Sequence, residues 1–171
     1  MAELTAQERL QPCLLDRLTD DDPENPQESR DRRVIPLKRM REYVLRDLGW
    51  LLNTQNFTSV EDLTPYPHVR RSVLNYGVPD LTGRTLSSLD VQDLERMLRE
   101  AICEFEPRLL RRSLRIKLAN NPDQMNHNAL TFEIAGELWA QPVPLEIFMK
   151  TELDLEIGEI KVFEVSGGGR S

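Results

Sequence analysis

Glu104-Phe105-Glu106-Pro107-Arg108-Leu109 is the stretch on which the reading of this chain turns. Upstream of it, Val91, Leu94, Leu98, Ile102 and Phe105 recur at three- and four-residue spacing, which is one face of a helix. Downstream, Leu114, Ile116 and Leu118 alternate with Arg115 and Lys117, which is the period of a half-buried strand. Pro107 makes the change abrupt. Its ring biases Glu106 away from the helical region, and it lacks the N–H that would continue a helix ladder. The joint therefore carries a carboxylate and a guanidinium on either side of a rigid proline. Local chemistry leaves two readings open. In one, a helix stops and two surface charges follow. In the other, the joint presents Glu106 and Arg108 to a partner, because the flat five-donor fork of Arg suits carboxylates and helix ends.

Outward toward the N-terminus, the central helix is expected to open at Ser87 or Ser88, with Ser87 and Asp90 at capping spacing. Glu95 with Arg99 and Arg96 with Glu100 read as i,i+4 pairs on its outer face. Val78 to Gly83 reads as a turn, preceded by a short helix over 68–76 that Gly77 ends. Residues 37–53 predict a longer helix. Leu37, Met40, Val44, Leu48, Leu51 and Leu52 form its apolar face, Arg46 faces out, and Trp50 closes the core rim. Phe57, Val60 and Leu63 hang from a loop stiffened by Pro65 and Pro67. Further upstream, Leu10, Leu14, Leu15 and Leu18 could line two turns of an amphipathic peptide, followed by the acidic linker Asp20-Asp21-Asp22-Pro23-Glu24-Asn25-Pro26. Such a peptide cannot bury itself. It folds back onto the domain or enters a neighbour's groove.

Outward toward the C-terminus, strands are expected over 112–118, around Leu130, Phe132 and Ile134, over 145–157 as one strand or two, and over 160–165. Gly136 suggests a bulge or bend. The acidic side of the third run, Glu152, Asp154 and Glu156, would complement the basic side of 112–117 if those strands pair. The last run is apolar on both sides, which suggests cover on both faces, a cover that a partner could supply. Helices precede strands, so the fold class is α+β: a small, mostly antiparallel sheet with helices packed on one face. Three segments follow: an N-terminal amphipathic peptide with an acidic and basic linker at 1–33, one α+β domain at 34–166, and a flexible tail at 167–171 that contains Gly167-Gly168-Gly169.

The 171 residues, 39% hydrophobic and 30% charged, suit a single domain with a large solvated or partner-covered surface. No apolar run approaches the roughly 20 residues that span a bilayer, and Glu3, Glu8 and Arg9 interrupt any signal-peptide core, so a cytoplasmic protein with no membrane insertion is expected. A net charge of −7 argues against a general nucleic-acid binder. Basic residues still cluster at 30–41 and 108–117, where they could set orientation in a complex. Cys13 and Cys103 are expected to be free thiols. With His68 and His127 the only histidines, a zinc site is not expected, and no cofactor is implied.

Four stretches resemble those of the phage-baseplate wedge family, often labelled tail-lysozyme-like, and more narrowly its TssE branch from type VI secretion systems. They are Leu14-Leu15-Asp16-Arg17-Leu18, the run from Arg46 to Thr54, the run from Ser72 to Leu81, and Glu106-Pro107-Arg108, in that order. The resemblance implies a wedge subunit that links the baseplate to a contractile sheath and helps sheath assembly start. It implies TssF, TssG and TssK as baseplate partners and TssB and TssC as sheath partners. It also implies that Glu106, Pro107 and Arg108 engage the wedge's helical core, with an assembly role for Leu14, Leu15 and Leu18. On this reading the Glu106–Arg108 pair contributes little to folding, and strands near the C-terminus receive sheath strands by edge pairing. Two alternatives are a free-standing, anti-adaptor-like binding module and a peptidoglycan glycosidase. Glycoside hydrolysis needs two carboxylates roughly 5–10 Å apart, one with a raised pKa. Glu104 and Glu106 are the obvious candidates, two residues apart at a helix end where they need not face each other, and Arg108 beside Glu106 would lower its pKa instead. No catalytic residue is therefore assigned.

Overall fold

The chain builds an antiparallel sheet and lays two long helices across one face of it. The computed structural model describes residues 13–19, 24, 37–81, 90–119, 129–139 and 144–165. The helices are α1 (Leu14–Leu18), α2 (Leu37–Leu52), α3 (Pro67–Arg70) and α4 (Val91–Phe105). The strands are β1 (Arg115–Leu118), β2 (Ala129–Leu138), β3 (Leu145–Asp154) and β4 (Ile160–Glu164), paired antiparallel in the order β1-β2-β3-β4. This is the α+β class expected, with helices on one face.

Periodicity explains which residues meet. In α2, Val44, Leu48, Leu51 and Leu52 are buried, and in α4, Leu94, Leu98, Ala101 and Ile102. They close on the alternate residues Ile116, Leu130, Phe132, Ile134, Leu138, Ile147, Met149 and Leu153 of the sheet to form one core. Each such fully buried side chain contributes about 1.5–3 kcal/mol relative to exposure, which is what holds these short strands under the helices.

Several local expectations change. Asp90 caps α4, its carboxylate accepting from the Gln92 and Asp93 N–H groups; Ser87 and Ser88 lie outside the described residues. Glu95 and Arg99 turn to the β1 edge in place of each other, and Arg96 pairs with Asp93 at 2.7 Å. The helix expected over 68–76 is interrupted. The Ser72 side chain accepts from the Leu74 N–H and starts a separate tight turn, Val73–Asn75, after α3 has ended. Gly77 then adopts φ 119°, where the chain doubles back so that the Val78 N–H reaches the Thr54 carbonyl at 2.8 Å. A Cβ at Gly77 would collide with that carbonyl.

In the sheet, β1 begins at Arg115, and β2 separates it from β3. The acidic residues of β3 therefore do not face the basic residues of β1; Lys117 lies across from Glu133. Gly136 keeps unbroken register opposite Ile147, its open side occupied by Leu109 and Leu114. The alternation over 145–157 outlasts the strand. The Asp154 carboxylate accepts from the Glu156 and Ile157 N–H groups and makes a turn, which leaves Ile157 exposed. The outer side of β4 is not covered among the described residues: Phe163 and Val165 are 46% and 43% exposed. Trp50 is also exposed, with the Arg46 guanidinium stacked 4.9 Å over its ring. The residues assigned to the tail, 167–171, and most of those assigned to the linker lie outside the described residues.

Candidate partner-binding site

The joint between α4 and β1 is fixed on three sides. Main-chain bonds hold it to the end of β2: the Trp139 N–H donates to the Arg108 carbonyl at 2.7 Å and the Leu110 N–H to the Glu137 carbonyl at 2.9 Å. The Glu106 N–H still donates to the Ile102 carbonyl, so Glu106 is the last residue the helix controls. Its side chain turns inward and is 4% exposed, while Pro107 is exposed.

Glu106 is the centre of a chain of charges. Its Oε1 accepts from the Arg108 main-chain N–H at 3.1 Å and from Arg108 Nε at 2.7 Å, and its Oε2 accepts from Arg108 Nη2. The same Nη2 donates to Oδ2 of Asp47 on α2. The other Asp47 oxygen, Oδ1, accepts from Arg46 Nε and Nη2. Arg46 Nη2 reaches on to Oδ1 of Asp16 in α1, at 2.7 Å. Asp16 Oδ2 finally accepts from the Cys13 thiol. Acids and bases alternate along this chain, so most of its hydrogen bonds are charge-assisted.

The protonation of the guanidinium groups follows. Burial by itself would lower the pKa of Arg108, but its bonds to Glu106 and then Asp47 outweigh that, and the net shift is upward. Arg46 behaves likewise between Asp47 and Asp16. Tyr76 stands beside the chain, edge-on to Phe105 with centroids 5.3 Å apart. Burial raises its phenol pKa, and the nearby charges of Asp47 and Glu106 raise it further.

The structure thus brings Glu106 and Arg108 together and directs them at each other and at α2. A carboxylate so enclosed is a structural anchor, contrary to the expectation that the pair contributes little to folding. Its Oε1 and Oε2 are both engaged by one guanidinium; Glu104 pairs elsewhere, with Arg71 and Arg111. The leucines are placed the other way round. Leu14, Leu15 and Leu18 are 70%, 46% and 74% exposed, and α1 meets the domain through its one buried residue, Asp16.

Asp16, Arg46, Asp47 and Tyr76 were not singled out from the sequence, although each lies within one of the family-like stretches. The available signal was an aspartate set among four apolar and basic neighbours in 14–18, and an Arg-Asp pair next to the buried stripe of α2.

An α+β domain that spends its buried charges on bracing one joint, and leaves apolar side chains outside, has the character of a part held among other parts. Comparison places it. Residues 38–143 match the family described as baseplate wedge protein gp25, and the chain belongs to that family. It is accordingly a structural component of a contractile-tail baseplate, a family whose members contact other baseplate proteins. No curated protein matches the chain. A crystal structure from Geobacter sulfurreducens, provisionally described as a tail lysozyme, is similar at 13% identity with a TM-score of 0.43, covering 80% of this chain and 100% of that one. No helix among the described residues is long and apolar enough to cross a membrane.

Proposed function

We propose that this chain serves as the TssE-type wedge subunit of a type VI secretion baseplate in the cytoplasm. It joins a wedge containing TssF, TssG and TssK to the sheath pair TssB and TssC, and offers the first sheath ring a docking surface. The observation that carries this reading is the joint itself. Pro107 is exposed at a point braced by Asp47 on α2 and by Trp139 beyond β2, so a partner helix would meet a preformed surface and little ordering entropy would be lost. Arg108 keeps a fifth of its side chain accessible beside it. Leu14, Leu15 and Leu18 supply a second contact, apolar and outward-facing.

Catalysis is not part of this proposal. Glycoside hydrolysis needs two carboxylates facing a substrate across a cleft, whereas Glu106 gives both its oxygens to Arg108 and Glu104 pairs with Arg71 and Arg111.

The test is co-expression with TssF and TssG, comparing capture of wild type, Pro107→Ala and Pro107→Glu, substitutions at the exposed residue of the joint that leave the Glu106–Arg108 pair intact, with a thermal melt of each variant alone. Variants that melt near wild type yet lose the complex support docking at the joint. Variants that keep the complex, or lose it only because they unfold, assign the joint a purely structural role and move the interface to the sheet edge or the N-terminal peptide.

A further inference from the structure

The two edges of the sheet are finished differently. The Ala119 N–H donates to the Thr131 carbonyl, so the odd-numbered residues of β1 face β2, and Leu114, Ile116 and Leu118 point their main-chain groups outward. Two side chains of α4 already hold that edge. Glu95 accepts from the Leu118 N–H at 2.7 Å, and Arg99 donates to the Leu114 and Arg111 carbonyls. Ile116 lies between these braces, and the open sheet face beside it carries Arg115 and Lys117, charges that discourage strand addition.

At the opposite edge the Val165 N–H donates to the Phe148 carbonyl and the Asp154 N–H to the Glu159 carbonyl. Odd residues of β4 therefore face β3, and Ile160, Val162 and Glu164 point outward. The Asn53 carboxamide at the end of α2 takes both groups of Ile160, accepting from its N–H at 2.9 Å and donating to its carbonyl at 2.7 Å. This is the bonding that a neighbouring strand would make. Beyond it, the main-chain groups of Val162 and Glu164 have no partner among the described residues. Beyond Lys161, which shares the open face, that face carries Phe148, Phe163 and Val165, each more than two-fifths exposed.

We infer that β4 is the edge that receives a partner strand, and that Asn53 sets its register by occupying Ile160, so that pairing begins at Val162 and runs through Glu164. The occupant is an extended segment with apolar residues at alternate positions, which would continue the Phe163–Val165 stripe while its main chain completes the ladder. The inference rests on the sheath-docking reading above and names the edge that reading needs.

Val162→Pro tests it. The Val162 N–H points away from β3, so proline there removes no bond of the ladder, a position at which edge strands tolerate it. The probe is the co-purified sheath pair TssB–TssC. The expected result is a variant that melts close to wild type and captures the pair at least about tenfold more weakly, a loss of about 1.4 kcal/mol. In wild type the amides of Val162 and Glu164 should exchange at least about tenfold more slowly with the pair bound, with Ile116 unchanged. This second measurement decides the matter if the variant does not fold. Equal capture by a folded Val162→Pro chain, or protection at Ile116 in place of Val162, overturns the choice of edge and leaves sheath docking standing. Wild type that holds TssF and TssG but captures no sheath pair overturns the docking reading itself.

Discussion

Glu106 and Asp47 converge on a single nitrogen, Nη2 of Arg108. One belongs to the end of α4 and the other to the body of α2, beside the buried Leu48, so this nitrogen ties the two long helices together. Glu106 is nearly inaccessible and Arg108 only a fifth exposed, so the bond is not diluted by solvent as a surface pair would be.

Glu106→Ala leaves the Arg108 guanidinium and main-chain N–H without their main acceptor. Removing one partner of a buried pair costs about 3–5 kcal/mol. Chemical denaturation should show a loss in that range, against less than about 1 kcal/mol for Glu104→Ala, whose partners Arg71 and Arg111 are largely exposed.

Asp16→Asn should release α1 without unfolding the domain. Five helical residues do not hold themselves, and the bond to Arg46 is their charged anchor. Limited proteolysis should cut the variant between α1 and α2 faster than wild type, while the thermal melt shifts little.

Cys13 reports the same docking through pH. Burial, followed by its bond to Asp16, pushes the thiol above its ordinary value of 9.0. A proton held more tightly in the docked peptide favours docking fully below 9.0, and that contribution is lost as the pH rises through the higher docked value. In a Cys103→Ser background, thiolate-specific labelling at pH 8 should be slow, and Asp16→Asn should speed it.

Gly77→Ala forces an L side chain into φ 119° and into the Thr54 carbonyl. A conformation of that kind costs on the order of 1–3 kcal/mol before the collision is counted. A clear fall in melting temperature is expected, whereas Gly49→Ala, with open space at its Cβ, should be neutral or stabilising.

The parts of this fold that were legible in the sequence are those governed by periodicity. The apolar spacing of α2 and α4 and the alternation in β2 and β3 placed the core, and Pro107 placed the joint. What stayed hidden was polar and non-local. Nothing in local pattern says that Glu95 and Arg99 prefer the bare groups of an edge strand to each other, or that Asn53 answers Ile160 across the length of the chain. The same blindness covered the joint. Glu106 reads as a surface charge beside a proline until Arg108, itself held by Asp47, is seen to engage both its oxygens.

The anchoring of α1 by its aspartate also sets a distance. From Thr19 to Leu37 the chain can extend at most ~60 Å, so Leu14, Leu15 and Leu18 have two possible radii of action. While Arg46 holds Asp16, the three leucines move with the domain and meet only what touches its own surface. Without that bond, only the length of the intervening chain limits how far they can stand from the domain. A single guanidinium thus decides whether the peptide moves with the domain or only within reach of it.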